Sequence, residues 1–215
     1  TQPIPYTYKV KQTNASGQFT LVNHFVPSIP ESPTSLPVTY KKVSGNLPTS
    51  GWSTLDEGWK GSTLPASADW RRVTYGNGKF IAIATGASVG AYSTDGINWT
   101  EMSLPAHGYW RSVSYGNGRF IAVRYESSIG AYSDDGITWT TMTMTIVADW
   151  NYTVYGDNRF VAVSLSNDGA YSSDGINWQQ MSMPFGYIHS VAYGDGKFIA
   201  VAGISNIGAY SMNGI

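Results

Sequence analysis

YSTDGINW (92–99) returns as YSDDGITW (132–139), as YSSDGINW (171–178) and in part as YSMNGI (210–215). Upstream of each copy stands a second shared phrase: YGNGKFIAI (75–83), YGNGRFIAV (115–123), YGDNRFVAV (155–163) and YGDGKFIAV (193–201). Aligned on Trp70, Trp110, Trp150 and Ile188, the units start 40, 40 and 38 residues apart. A fixed period of this size marks one supersecondary unit used repeatedly, and it decides the fold before any single element does.

Each unit holds four strand-like pieces, which in the second are 111–115, 119–124, 130–133 and 138–144. Gly116-Asn117-Gly118 joins the first two as a hairpin signal, and Asp134-Asp135-Gly136 joins the last two. Phe120-Ile121-Ala122-Val123 is apolar throughout, as an inner strand covered on both faces would be. The fourth piece alternates, with Met142 and Met144 two apart, as a half-wetted outer strand does. No segment carries a helical period. Four short strands with tight turns make about 40 residues, the size of one β-propeller blade. The expectation is an all-β fold: a small propeller of about four, at most five, four-stranded blades over 51–215.

The last unit supplies three strands, while GWSTLDEGWKGSTLP (51–65) aligns without gaps on AYSTDGINWTEMSLP (91–105). A segment near Trp59 is therefore expected to complete the blade begun at Ile188. Closure of that kind removes exposed sheet edges. Strand exchange between subunits, or a chain trimmed at 215, is the rival explanation. Residues 1–50 do not match the repeat and carry seven prolines, from Pro3 to Pro48. They read as an extended arm or assembly segment, with a hairpin at 9–26.

Charged residues are 13% of the 215 and the net charge is −1, which leaves no basic stripe for nucleic acid and no polybasic patch for an anionic membrane. Without cysteine there is neither a disulfide nor a thiolate metal site. No apolar run is long enough to span a bilayer. His24, His107 and His189 are isolated, so no metal and no cofactor is expected.

Ser-x-Asp-Gly-x-x-Trp resembles the Asp-box of neuraminidase-type propellers, one residue shorter between Asp and Gly. The whole unit is similar to propeller repeats of bacteriophage tail and receptor-binding proteins and of bacterial surface adhesins. The resemblance covers 51–215. It implies a structural role for Ser93, Ser133 and Ser172, for Asp95, Asp135 and Asp174, and for Trp99, Trp139 and Trp178: Ser and Asp bond the local backbone and Trp plugs the blade. Asn213 replaces Asp in the last copy.

Strands alternate in direction, so the turns fall at two ends. One end is nearly constant (GNG, GNG, GDN, GDG, then Asp-Gly or Asn-Gly), and the other varies. Loops on a rigid scaffold are where sites are built. The variable end offers Tyr109, Trp110, Arg111, Arg124, Tyr125, Glu126, Trp150, Tyr187 and His189 as ligand-binding candidates, rings beside hydrogen-bonding groups as a sugar requires. Trp110 and Trp150 also recur at one repeat position with Trp70, which suits blade packing. Catalysis is not expected. Glutamate occurs only at 31, 57, 101 and 126, and a glycosidase needs two carboxylates flanking the bond. The expected role is a non-enzymatic tip module of an extracellular tail fibre or bacterial surface fibre. It would recognise cell-surface glycan as a homo-oligomer, a trimer by analogy with fibres. A structural protein–protein module and a glycoside hydrolase are the alternatives.

Overall fold

The structure, a computed structural model, describes residues 6–13, 19–26 and 59–215. The chain divides into two compact units, Thr1–Trp59 and Lys60–Ile215. In the first, β1 (Tyr6–Thr13) pairs antiparallel with β2 (Phe19–Val26), Tyr6 opposite Val26 and Thr13 opposite Phe19, so the hairpin read at 9–26 is present as backbone. The remainder of the proline-rich arm, and residues 51–58, lie outside the described residues.

The second unit is all strand and turn. Its elements are β3 (Asp69–Gly76), β4 (Lys79–Ser93), β5 (Thr100–Gly116), β6 (Arg119–Arg124), β7 (Ser127–Ser133) and β8 (Thr140–Ala148). They continue with β9 (Trp150–Gly156), β10 (Arg159–Ser164), β11 (Asp168–Ser172), β12 (Gln179–Ser182), β13 (Ile188–Gly194), β14 (Lys197–Ala202) and β15 (Gly208–Ser211). All pairings are antiparallel neighbours in sequence: β3 to β8 form a six-stranded run that the first two repeats share through β5, β9 to β12 a four-stranded sheet and β13 to β15 a three-stranded one. β4 and β5 run on into the next piece: the end of β4 pairs Tyr92 with Thr100, while the second half of β5 pairs Gly116 with Arg119 in the following repeat. At the variable end, residues 86–89 and 106–109 continue as strand because Ala87 pairs with Gly108.

The first strands of successive sheets lie side by side. Thr153 N–H donates to Ser112 Oγ (3.0 Å), Thr153 Oγ1 donates to Ser114 Oγ (2.8 Å), and Asn151 Nδ2 donates to the carbonyls of Ile188 and His189. The strand covered on both faces is the second of the two middle repeats, β6 and β10. Phe120, Ile121, Ala122 and Val123 have no exposed surface because a neighbouring sheet closes each side.

One contact repeats between sheets. The ring of Tyr115 lies flat on Gly76, Tyr155 on Gly116 and Tyr193 on Gly156, so close that a Cβ on any of these glycines would overlap the ring. The outer strand adds a second: Trp139 Nε1 points at Met102 Sδ of the preceding sheet (3.2 Å) and Trp178 Nε1 at Met142 Sδ (3.4 Å). Trp139 and Trp178 are buried there. The preceding sheet's apolar tip also reaches the Asp-Gly turn, where a Cβ on Gly136 would stand 2.8 Å from Ile81 Cδ1.

The turns follow the repeated chemistry. Asn117 (φ 46°) and Gly118 (φ 77°) are both left-handed, as a primed two-residue hairpin turn needs. In the third copy Asn158 takes the glycine's place at φ 57°. In each Asp turn the serine hydroxyl accepts the N–H of the glycine (2.8 Å at Gly96, Gly136 and Gly175). One aspartate oxygen accepts two further N–H groups, those of Ile137 and Thr138 at 2.7 Å in the second copy. Asn98 Nδ2 holds Asp95 well below the usual carboxylate range, helped by the N–H groups of Asn98 and Ile97. Burial pushes Asp135 up, but the Ile137 and Thr138 N–H groups outweigh it and leave it at about 2; the same balance lowers Asp174. Asn213 keeps the geometry with a longer bond from Ile215 N–H (3.2 Å).

The last sheet has three strands, and among the described residues nothing pairs with the outer edge of β15. Of the segment near Trp59 expected to complete it, residues 51–58 lie outside the described residues and residues 61–65 are not in a strand. The step from one sheet to the next, taken three times, leaves both end faces of the Lys60–Ile215 unit uncovered.

Two measurements check this account. Gly116→Ala is expected to lower unfolding stability in urea by about 1–3 kcal/mol, because the Tyr155 ring must move. Gly194→Ala, at the same repeat position but with open space above it, is expected to change stability by no more than about 0.5 kcal/mol. The aspartates respond to pH. Their folded-state affinity for protons is depressed, so their contribution is complete above the ordinary carboxylate pKa, near 4, and is lost as pH falls toward the folded values. Asp135→Asn is expected to be less stable than the parent at pH 7, and the gap is expected to close by about pH 2, read from urea midpoints at each pH.

Candidate binding face

The variable end has a regular backbone beneath its irregular side chains. Tyr125 N–H donates to Tyr109 O (2.9 Å), Leu165 N–H to Asp149 O (3.0 Å) and Gly203 N–H to Tyr187 O (2.9 Å). These are equivalent positions in three repeats. The same bond is therefore made under Tyr and Tyr, Leu and Asp, Gly and Tyr. The fold does not dictate which side chains stand there.

Six of the candidates meet in the second repeat. Tyr109 is 55% exposed. Arg111 lies over the Tyr125 ring (5.0 Å to its centroid) and Arg124 over the Trp110 ring (5.4 Å). Arg124 also donates to His107 O (3.1 Å), and its guanidinium fills the space beside Gly108, where a Cβ would overlap it. Nε of both arginines is buried without a hydrogen-bond partner, and neither arginine has an ion pair among the described residues. Glu126 is exposed beside them at φ 50°. Its equivalent in the first repeat is Gly86, at φ 69°. The backbone asks for glycine there and carries a glutamate, and strain of this kind collects at functional positions.

Tyr187 and His189 stand in a second group, at the last sheet. Tyr187 is 61% exposed at φ 57°, with its N–H bonded to Leu165 O (2.6 Å). His189 packs its ring beside Gly203, and its carbonyl accepts from Asn151. Trp110 and Trp150 are corrected: both have no exposed surface and belong to the core. Trp110 Nε1 donates to Ala106 O (3.0 Å), whereas Trp150 Nε1 has no partner. Burial by the neighbouring sheets is what removes them from the face. Asn151, and the Ser164–Ser166–Asp168 hydroxyl–carboxylate chain (2.7 Å at each link), join this end without having stood among the binding candidates. Only the spacing of serines around Asp168 hinted at the latter. Among the described residues no group of three His, Asp or Glu is placed to hold a metal ion.

No family model and no curated protein sequence matches the chain. Solved structures do. Virginiamycin B lyase from Staphylococcus aureus superposes with a TM-score of 0.59 at 8% identity, over 92% of this chain and 62% of that one. YCF48 from Cyanidioschyzon merolae gives 0.57 at 16%, over 73% and 57%. The computationally designed Ika4 protein gives 0.55 at 8%, over 72% and 98%. The chain thus spans about three-fifths of the length of the first two. At such identities the likeness is one of fold alone: with the repeated sheets, it makes the Lys60–Ile215 unit a β-propeller fold.

The strained glutamate can be measured directly. Glu126→Gly is expected to raise stability by about 0.5–1 kcal/mol, while Glu126→Ala, which stays left-handed with a Cβ, is expected to give no such gain. Thermal and urea unfolding of the two variants check it.

Proposed function

We propose that this protein is a non-enzymatic binding module that recognises cell-surface glycan through the variable end of its propeller, as the tip of an extracellular fibre of a virion or a bacterial cell. The observation that carries the reading is the unchanging backbone bond beneath changing side chains, with Arg111, Arg124, Tyr125, Tyr109 and Glu126 gathered on it. An exposed ring offers a face for the C–H side of a sugar. The guanidinium N–H groups of Arg111 and Arg124 other than the buried Nε supply donors for its hydroxyls, and Glu126 supplies an acceptor.

The arrangement does not favour hydrolysis. Glu126 is the one carboxylate in the group around Tyr125, and a glycosidase works with a pair. The lyase named among the structural neighbours shares the fold, and fold alone does not transfer an activity. A single shallow sugar site binds at about 1 mM, or about 4 kcal/mol, so adhesion requires several copies. The finer architecture belongs to the same reading: four blades, the last awaiting its fourth strand.

A glycan array probed with multivalently displayed protein tests the proposal. Discrete glycans are expected to be retained by the parent and lost by Tyr125→Ala and Glu126→Ala, with unfolding midpoints unchanged. A blank array, with protein captured instead by a purified fibre or tail component, would favour the structural-module reading.

A further inference from the structure

The third repeat is shorter than the second, and both missing residues fall at the variable end. Trp110 and Trp150 stand 40 residues apart, and Trp150 and Ile188 stand 38 apart. Six residues separate Val123 from Gly130, whereas five separate Val163 from Gly169. Five separate Met144 from Trp150, whereas four separate Met183 from Ile188. The intervals between these points, Trp110–Val123 with Trp150–Val163 and Gly130–Met144 with Gly169–Met183, are equal. The first repeat has the longer lengths at both places. The shortened segments are therefore 164–168 and 184–187.

The structure shows what the shortening does. In the first two repeats the chain is paired strand at these places, Ala87 with Gly108 and Ser127 with Ala148. In the third the strands stop short, β11 starting at Asp168 and β12 ending at Ser182. The two segments bond to each other instead. Met183 N–H donates to Asn167 O (2.8 Å) and Tyr187 N–H to Leu165 O (2.6 Å). Gly186 lies on the Ser166–Asn167 peptide, where a Cβ would stand 3.5 Å from the Ser166 carbonyl carbon. Tyr187 is thereby held in the left-handed region (φ 57°), which a large side chain rarely adopts, and it is 61% exposed. Asn167 is exposed in the facing segment, and Ser166 and Asp168 are half-buried. The Asp168 carboxylate is oriented, because Ser166 Oγ donates to its Oδ2 (2.7 Å) while Ser164 Oγ donates to the Asp168 carbonyl (2.8 Å). Neither segment contains lysine or arginine.

We propose that segments 164–168 and 184–187 form a second saccharide site, separate from the group around Tyr125, and that its ligand is a neutral pyranose. The inference rests on the reading of the variable end as a glycan-binding face. An exposed ring beside an oriented carboxylate and a free-standing amide complements an uncharged sugar. The C–H face lies on Tyr187, two hydroxyls donate to the Asp168 carboxylate, and the Asn167 amide offers a donor and an acceptor. A carboxylate with no lysine or arginine in either segment disfavours an acidic sugar, because like charges repel. The group around Tyr125 carries Arg111 and Arg124, so the two sites select different sugars. Two weak sites on one end of one chain raise the avidity for a glycan that displays both.

Saturation-transfer NMR of the full 215-residue chain tests this with the methyl glycosides of glucose, galactose and mannose, each beside the corresponding uronide. At least one neutral glycoside is expected to bind, and its uronide to bind about tenfold more weakly or worse. Asp168→Asn and Tyr187→Gly are expected to weaken the neutral glycoside by about tenfold or more, and Tyr125→Ala to leave it unchanged. Tyr187→Gly relieves the left-handed backbone, so its melting temperature is expected to hold or rise while binding falls. Binding that survives both substitutions overturns the proposal, as does a uronide that binds as tightly as its neutral counterpart. Silence from all three neutral glycosides overturns it too. If the glycan array still gives hits that Tyr125→Ala abolishes, the second site alone falls. If the array is blank as well, the reading of this end as a glycan-binding face falls with it.

Discussion

A tyrosine ring lying on a glycine backbone is the contact from which the rest of this architecture is built. A flat ring can approach a strand that closely only where there is no side chain, and Gly76, Gly116 and Gly156 supply that gap at the same place in three sheets. Each ring also packs on the phenylalanine of its own sheet, 4.6 to 4.8 Å between centroids for Tyr115 on Phe120, Tyr155 on Phe160 and Tyr193 on Phe198. The ring therefore ties two sheets at once and sets the step between them. The tryptophan–methionine contact and the turn glycine under the neighbouring isoleucine fix the same step further out. Because all three recur together, successive sheets stack alike, and a sheet without a follower shows the vacated half of each contact.

The Asp turns do the complementary work within each sheet. A serine hydroxyl and a carboxylate satisfy the turn's N–H groups internally, so the turn needs nothing from its neighbours to hold its shape. Arg119 then links sheets from that same end, reaching Asp134 Oδ1 (2.7 Å) in its own repeat and Asp174 O (2.6 Å) in the next. The arginine, already strongly basic, is held more firmly protonated by its bond to Asp134. One end of every sheet is thus committed to structure, and its residues are nearly identical from copy to copy.

The opposite end carries no such commitment. Its backbone bonds are made whatever the side chain, so they leave the choice of side chain there open. Glu126 illustrates this most directly, because the first repeat uses glycine at the same backbone position and the second accepts a strained residue.

Much of this was legible in the residues alone. The repeat, the strand order within it, the primed Asn-Gly turns and the Ser–Asp turn chemistry depend on contacts within a few residues of one another, so the local pattern suffices. The division into constant and variable ends was legible for the same reason, since strand alternation assigns every turn to an end. Tertiary structure alone decided the rest. It buried Trp110 and Trp150, which a loop-end position had placed among ligand contacts, because the neighbouring sheets forty residues away cover them. It extended the strands through residues 86–89 and 106–109, because Ala87 pairs with Gly108 about twenty residues away. It left Tyr75 and Gly194 bare, although their sequence surroundings match those of their buried equivalents. Burial is a property of the neighbour, and no residue's own identity records whether that neighbour is there.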